Sequence, residues 1–481
     1  MKHTTSRSNL VGNITAVEHT LQVPLDWSCE GSETIEIFVR ELFKTDSPNP
    51  AAMHAVLFLQ GGPGFPSPRP SGPPSGWMNT LLEKGYRVLL LDQRGTGRST
   101  AMTTQRLIHL AETRNGVATQ IEYLKNMRSD AIAADIDAVR TTVCGATSKV
   151  SLLGQSFGGF CMLSYMSQYG PHLDKCLFTC GLAPVTRSIR EVYVSTYRRL
   201  LTRNKRFYTR YPGDVQRVRE IVSYLHEHSA SPILLPGGGH LTVRRFLQLG
   251  IALGSASGMD SLHHLLEGAF FIPPAAAGSV HAAVLSESFL YAVEAEQASF
   301  ESSPIYWLLH ESIYMNGGGL VSGWAAEEVM VCDEFRQAFD YVSRLSAPRE
   351  EDSSGGGSVP YINFTGEMVY SWMGEDYARL RPLREAAHAL AQLPWERALY
   401  DLQELADVAT KNAIRCAALV SYDDMYVERT FSEETAALLG GEDVCKMWIT
   451  NEFQHSGLRD NPHHIVSTLL KMTSNEIFMP S

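Results

Sequence analysis

The sequence predicts an α/β protein: a mostly parallel central sheet, interrupted by a large and mainly helical insertion. Three observations carry this expectation. Short, continuously apolar runs alternate with helix-period segments up to about residue 185. That rhythm lapses between about 186 and 396, and it returns from 397 onward. The expected division is a core of residues 1–185 and 397–481 around an inserted cap domain of residues 186–396. With 481 residues and 44% hydrophobic content, the chain has enough apolar side chains for a large core.

Taken in order, VEHTLQVPLDW and ETIEIFVREL alternate apolar and polar residues around turn formers, as in an antiparallel hairpin or meander. The pattern then changes. AVLFLQ (Ala55 to Gln60), YRVLLLDQ (Tyr86 to Gln93), KVSLLGQ (Lys149 to Gln155) and KCLFTCGL (Lys175 to Leu182) are apolar without alternation, which suits strands buried on both faces of a parallel sheet. Between them, Asp130 to Val143 places Ile132, Ile136 and Val139 on one helical face, and a second helix is expected after Ser156. The insertion contains charged, helix-like stretches such as REVYVSTYRRLLTRNKRFY and MDSLHHLLEGAF. Glu351 to Ser358, EDSSGGGS, reads as a flexible loop. RCAALVSY (Arg415 to Tyr422) and VCKMWIT (Val444 to Thr450) complete the expected sheet.

Bulk properties exclude several function classes. A net charge of −11 gives no footing for a phosphate backbone, so nucleic acid is not an expected partner. The N-terminus lacks the apolar run of a secretory signal, and no stretch of about 18 apolar residues occurs, so no membrane span is expected. Eight cysteines without a CxxC pair read as reduced thiols of a cytoplasmic protein. No His or Cys-His cluster has catalytic metal spacing, and no cofactor is implied.

The chemistry is expected on loops at the carboxyl ends of the strands. Gly154-Gln155-Ser156-Phe157-Gly158-Gly159 follows an apolar strand and precedes a helix. This is G-x-S-x-G in its required context, the nucleophile turn of the α/β-hydrolase fold, with glycines admitting a sharp bend that exposes the serine hydroxyl. A helix-capping serine in a tight turn is the bland alternative, and the strand context argues against it. Gln60-Gly61-Gly62-Pro63-Gly64 ends an earlier strand, where this fold builds the other half of an oxyanion hole. The N–H groups of Gly62 and Phe157 are the candidates, with Gly61 an alternative to Gly62.

A nucleophilic serine needs a base and an orienting carboxylate, here in the chain order Ser, Asp, His. Asp423 and Asp424 end one late strand, and Asp424 is preferred. His455 lies in a short loop after the next strand and is preferred as base. His463 and His464 follow Asn461-Pro462 and read as the first turn of a final helix. Asp92-Gln93-Arg94-Gly95-Thr96-Gly97-Arg98-Ser99 has the glycine content of a phosphate loop but not its GK[ST] ending. It is expected to be a structural turn in which Arg94 and Arg98 bind backbone or carboxylate groups.

Together, QGGPG at 60–64, DQRGTGRS at 92–99 and GQSFGG at 154–159 resemble the proline iminopeptidases, serine peptidases of the α/β-hydrolase fold. FLQLGIALGSASGMDSLHHLLE, LLHESIYMNGG, GWAAEEV, FTGEMVYSWM and SYDDMYVERTF are similar to the longer branch of that family. The resemblance implies release of an N-terminal proline from a peptide substrate. Two departures stand out: Gln60 occupies a position where shorter members usually carry histidine, and Trp324 is followed by Ala325-Ala326-Glu327 where shorter members have glutamate directly after tryptophan.

An exopeptidase must bind a free cationic amine beside a small apolar pocket. Glu311, within WLLHESIY, and Glu367, within FTGEMVY, are the candidate amine ligands, and each also has a plain reading as a structural ion-pair partner. Tyr306, Trp307, Tyr370 and Trp372 are candidates to wall a proline ring or to fill the core. Two rivals share these residues: an esterase or amidase acting on a small molecule with the same triad, and a non-catalytic binding protein on the same fold. An Asp-nucleophile hydrolase is disfavoured by Ser156.

Overall fold

The structure is a computed structural model and describes residues 2–73, 75–347, 350–351, 357–358 and 360–477. The chain divides into two compact units. The first comprises Met1–Ser188, Ser303–Ser322 and Ala389–Ser481, and the second Ile189–Ser302 and Gly323–His388.

The first unit is built on a nine-stranded sheet. Its strands are β1 (His3–Leu10), β2 (Ile14–Pro24), β3 (Thr34–Lys44), β4 (Ala55–Leu59), β5 (Arg87–Asp92), β6 (Val150–Gln155), β7 (Leu173–Thr179), β8 (Arg415–Ser421) and β9 (Cys445–Thr450), in spatial order β1-β2-β3-β5-β4-β6-β7-β8-β9. β1 to β3 form an antiparallel meander, β3 joins β5 antiparallel, and every later pairing is parallel. The continuous apolar runs therefore became the central strands, and β4, β5 and β6 are buried at every position. β1 falls in the polar start that carries no strand signal. It is an exposed edge strand, HTTSRSNL, whose side chains have no buried face to pattern them.

Two helices, Gly76–Glu83 and Pro462–Thr473, cover one face. Their Trp77, Leu81, Ile465, Val466 and Leu469 share a core with Phe58, Leu90, Leu153, Leu177 and Leu419 of the sheet. Helices Ser129–Val139 and Phe157–Tyr169 pack on each other. From β4 the chain crosses to β5 on one side and then returns to β6 on the other. Such a reversal parts the loops that follow the two strands and opens a crevice at their carboxyl ends.

The second unit is mainly helical, with Ile189–Arg210, Asp214–Glu227, Gly258–Glu267 and Glu287–Ser302 its longest helices among the described residues. Its interior is held by polar groups as well as apolar ones. Asn204 bonds Phe364 through both amide and carbonyl, and buried Arg245 binds Gln297 and the Asp376 carbonyl while lying 3.8 Å from the centroid of the Tyr377 ring. Of the Glu351–Ser358 stretch, residues 352–356 lie outside the described residues, and Glu350–Glu351 pairs antiparallel with Gly357–Ser358. No helix of the described residues is long and apolar enough to cross a membrane.

Candidate active site

Ser156 stands between β6 and helix Phe157–Tyr169 with φ 53° and ψ −124°, a left-handed conformation that costs a non-glycine residue energy. The turn is enforced by backbone crowding. A Cβ on Gly158 would lie 2.0 Å from the Leu59 carbonyl oxygen, one on Gly159 would lie 2.2 Å from that of Gly181, and one on Gly154 would meet Met162 at 2.4 Å. Each glycine of the motif is thus required by a neighbouring atom. Ser156 remains partly exposed while residues 150–155 and 157–160 are buried. Phe157 opens the helix, so its N–H belongs to the first turn, whose amides have no intrahelical acceptor.

The loop after β4 comes directly against this turn. A Cβ on Gly61 would stand 2.9 Å from the Gln155 carbonyl oxygen, 3.0 Å from Ser156 Cβ and 3.6 Å from its hydroxyl. Gly62, at φ 134°, precedes a cis peptide to Pro63. Gln60, the residue that departs from histidine, uses its backbone carbonyl to accept from the Gln93 amide at 3.0 Å.

Asp424 and His455 are brought together by the loops after β8 and β9. His455 Nδ1 lies 2.9 Å from Asp424 Oδ2 and 3.1 Å from Oδ1, and both residues are buried. Asp424 Oδ1 also accepts the N–H groups of Tyr426 and Val427 at 2.8 and 3.0 Å, which fixes the carboxylate plane. The Tyr426 ring stands edge-on to the imidazole with centroids 4.7 Å apart. Gln155, the residue before Ser156, donates to the His455 carbonyl at 3.1 Å and accepts from Thr179 Oγ1 at 2.9 Å. Nothing in the sequence flagged Gln155, since an amide in a G-x-S-x-G motif occupies a freely variable position. His463 and His464 lie in the first turn of helix Pro462–Thr473, where His463 Nδ1 meets Thr80 Oγ1 at 3.0 Å.

Cys180 is a further neighbour that the sequence did not single out. Its Sγ lies within 4.8 Å of ligating atoms of both Asp424 and His455, and burial, reinforced by the Asp424 charge, pushes its thiol well above the ordinary range. The eight cysteines are free thiols.

The loop after β5 behaves differently. Arg94 is buried, pairs with both carboxylate oxygens of Asp135 at 2.7 and 2.6 Å, and donates to the carbonyls of Leu25 and Asn126. Arg98 binds Glu18 at 2.6 Å and lies 4.1 Å from the Phe38 ring centroid. Both arginines meet the sequence expectation of a structural turn.

Glu311, placed in the insertion by the sequence, belongs to the first unit. The returning segment runs through helix Ile305–Leu309 and a 3-10 turn, Glu311–Tyr314. Ile305 fills the space that a Cβ on Gly64 or Gly95 would need, at 2.9 and 2.5 Å. Tyr306 faces Phe65 with centroids 5.9 Å apart, and Tyr314 meets Phe160 of the Ser156 helix at 6.1 Å. Arg128 secures the end of the segment through the Met315 carbonyl at 2.6 Å. Glu311 is 5% exposed, and the neighbouring His310 is buried, which pushes its imidazole down to about 3. Trp307 is also buried. Glu367, Tyr370 and Trp372 belong to the second unit. Glu367 is half-buried beside fully buried Met368, and the Tyr370 and Trp372 rings stack at 5.3 Å.

A strained serine at the strand-to-helix turn, glycines against it and a paired Asp and His on the loops after the late strands define the α/β-hydrolase fold, and residues 54–268 match the family model of that fold. The chain is 38% identical over 455 residues to the proline iminopeptidase of Aeromonas sobria, covering 94% of this chain and 95% of that one. It is 28% identical over 473 residues to a proline iminopeptidase of Aspergillus aculeatus, covering 97% of this chain and 95% of the relative. A solved proline iminopeptidase from Mycobacterium smegmatis superimposes with a TM-score of 0.37 at 12% identity, over 95% of this chain and all of its own. The chain belongs to the proline iminopeptidase family.

Proposed function

We propose that the protein is a serine exopeptidase that releases proline from the N-terminus of peptides, with Ser156 as nucleophile, His455 as general base and Asp424 orienting it. The observation that carries the reading is the strained, partly exposed Ser156 at the β4/β6 crevice, with Gly61 against its hydroxyl. Family membership supports the substrate class.

In this reaction His455 Nε2 takes the Ser156 proton as the oxygen attacks the prolyl carbonyl. Asp424, held by two backbone N–H groups, keeps the imidazole proton on Nδ1 and stabilises the imidazolium that forms. The N–H groups of Phe157 and Gly62, with Gly61 the alternative to Gly62, receive the oxyanion. Removing one such donor typically costs about 10²- to 10³-fold in kcat. His455 then protonates the leaving amine, and water attacks the prolyl ester to free the serine.

Glu311 is our first candidate to bind the substrate amine. It is a buried carboxylate on a segment anchored against both Gly64 and Phe160, so its position is tied to the serine turn. Glu367 is the second candidate, on the second unit. We propose residues 186–396 as the substrate-selecting cap, from which 303–322 returns to the catalytic unit. Eight free thiols support a cytoplasmic setting.

The test is a panel of Pro, Ala and N-blocked Pro amides sharing one leaving group. The free prolyl amide should be preferred over the blocked one by about 10²- to 10³-fold, since blocking removes the cation that the carboxylate attracts, and Glu311→Gln should shrink that ratio. Equal turnover of blocked and free substrates would replace the exopeptidase reading with an amidase.

A further inference from the structure

Beside the serine turn lies a group of three chemically different ligating side chains, only two of which the hydrolysis uses. Cys180 Sγ, a carboxylate oxygen of Asp424 and a ring nitrogen of His455 lie within 4.8 Å of one another, Nδ1 being the nitrogen that faces Asp424, and all three residues are buried. Thiolate, imidazole and carboxylate are the ligand types that Zn²⁺ prefers, whereas hard cations select oxygen alone. With Zn–S near 2.3 Å and Zn–N near 2.0 Å, ligand atoms around one tetrahedral ion stand about 3.5 Å apart. The group therefore has to contract by at most about 1.3 Å on the sulfur side, while the Nδ1–Oδ2 pair opens slightly from 2.9 Å.

The supports of these side chains are already fixed. The Cys180 amide donates to the Leu419 carbonyl at 2.9 Å, and its φ of 49° sets the residue just past the end of β7. Asp424 Oδ1 is occupied by the amides of Tyr426 and Val427, leaving Oδ2 toward the imidazole. Outer contacts of this kind are what orient ligands at metal sites.

We propose that Cys180, Asp424 and His455 bind a soft divalent cation, Zn²⁺ in the first instance, and that this reversibly switches the hydrolase off. The inhibitory half rests on the reading of His455 as general base. Catalysis needs the imidazole proton on Nδ1 and a lone pair on Nε2. A cation on Nδ1 holds the imidazole in the opposite tautomer, so its one proton sits on Nε2 and the ring no longer accepts the Ser156 proton. The Cys180 thiol releases one proton to solvent as it becomes thiolate. Nothing is oxidised or reduced, and a chelator reverses the state.

Two measurements test this, both in a Cys29→Ser background, because Cys29 is the exposed thiol. Zn²⁺ should inhibit prolyl-amide turnover, EDTA should restore it, and Cys180→Ala should raise the inhibition constant at least tenfold. Separately, Co²⁺ added to the full-length Ser156→Ala protein should give thiolate-to-cobalt absorption at one ion per chain, and Cys180→Ala should remove it. His263, His264 and Glu267 form another group of closely spaced ligating atoms, but it has no sulfur and cannot produce that band. Cys180→Ser repeats both comparisons if the alanine variant does not fold. Equal zinc inhibition with and without Cys180, or cobalt bound without a thiolate band, overturns the proposal. The cobalt result does not depend on turnover, so a failure of the Ser156 mechanism is told apart from a failure of the metal site.

Discussion

The loops after β4 and β5 leave neighbouring strands, both are rich in glycine, and both contact Ile305, yet they do opposite things. After β4, glycines let the backbone close on the Gln155 carbonyl and the Ser156 side chain. After β5, the loop closes around Arg94, whose guanidinium is spent on Asp135 and on backbone carbonyls. Glycine content alone therefore does not distinguish a reactive loop from a locking one. The deciding feature is whether a buried charge with a complete set of partners occupies the turn.

Four changes sharpen or break that contrast. The largest expected effect is Ser156→Ala, which should lower kcat for a prolyl amide by at least about 10⁴-fold and abolish fluorophosphonate labelling, with the melting curve unchanged. Arg94→Met should act on stability instead. It strands the Asp135 carboxylate in the interior and should cost about 3–5 kcal/mol by urea unfolding, with kcat per folded molecule retained. A loss of activity without a loss of stability would mean that the second loop is also reactive. Gly61→Ala puts a methyl where Gln155 and Ser156 leave no room, so kcat should fall about 10²-fold while stability changes less than in Arg94→Met.

The smallest effect concerns His310, on the segment that rests on both loops. Burial holds its folded-state value near 3, below the ordinary imidazole value of 6.5, so the unfolded chain binds the extra proton between those two pH values. Its neutral-state contribution is complete above pH 6.5 and is lost as pH falls toward about 3. His310→Phe should remove that acid slope, worth about 1.4 kcal/mol one pH unit below the unfolded value. Parallel stability profiles for the two proteins between pH 4 and 7 would contradict it.

The sequence was most readable where burial is uniform. β4, β5, β6 and β8 are continuous apolar runs because helices cover both faces, and the reactive loops follow from where those runs stop. β1 was illegible for the converse reason, since a polar edge strand has no pattern to read. Asp424 and His455 were readable as residues ending late strands. The contacts that hold them, from Gln155 and the Tyr426 and Val427 amides, were not, because they depend on which loops meet. Glu311 is the clearest limit. Its return to the first unit is a tertiary event that leaves no trace in local periodicity.

The bond from the Gln155 amide to the His455 carbonyl joins positions 300 residues apart. Because a single side chain of the first unit gauges the spacing between the Ser156 turn and the His455 loop, the long stretch that forms the second unit supplies no atom to that gauge. Evolution is then free to lengthen, trim or exchange that stretch, and so to retarget the enzyme, without detuning the atoms that react.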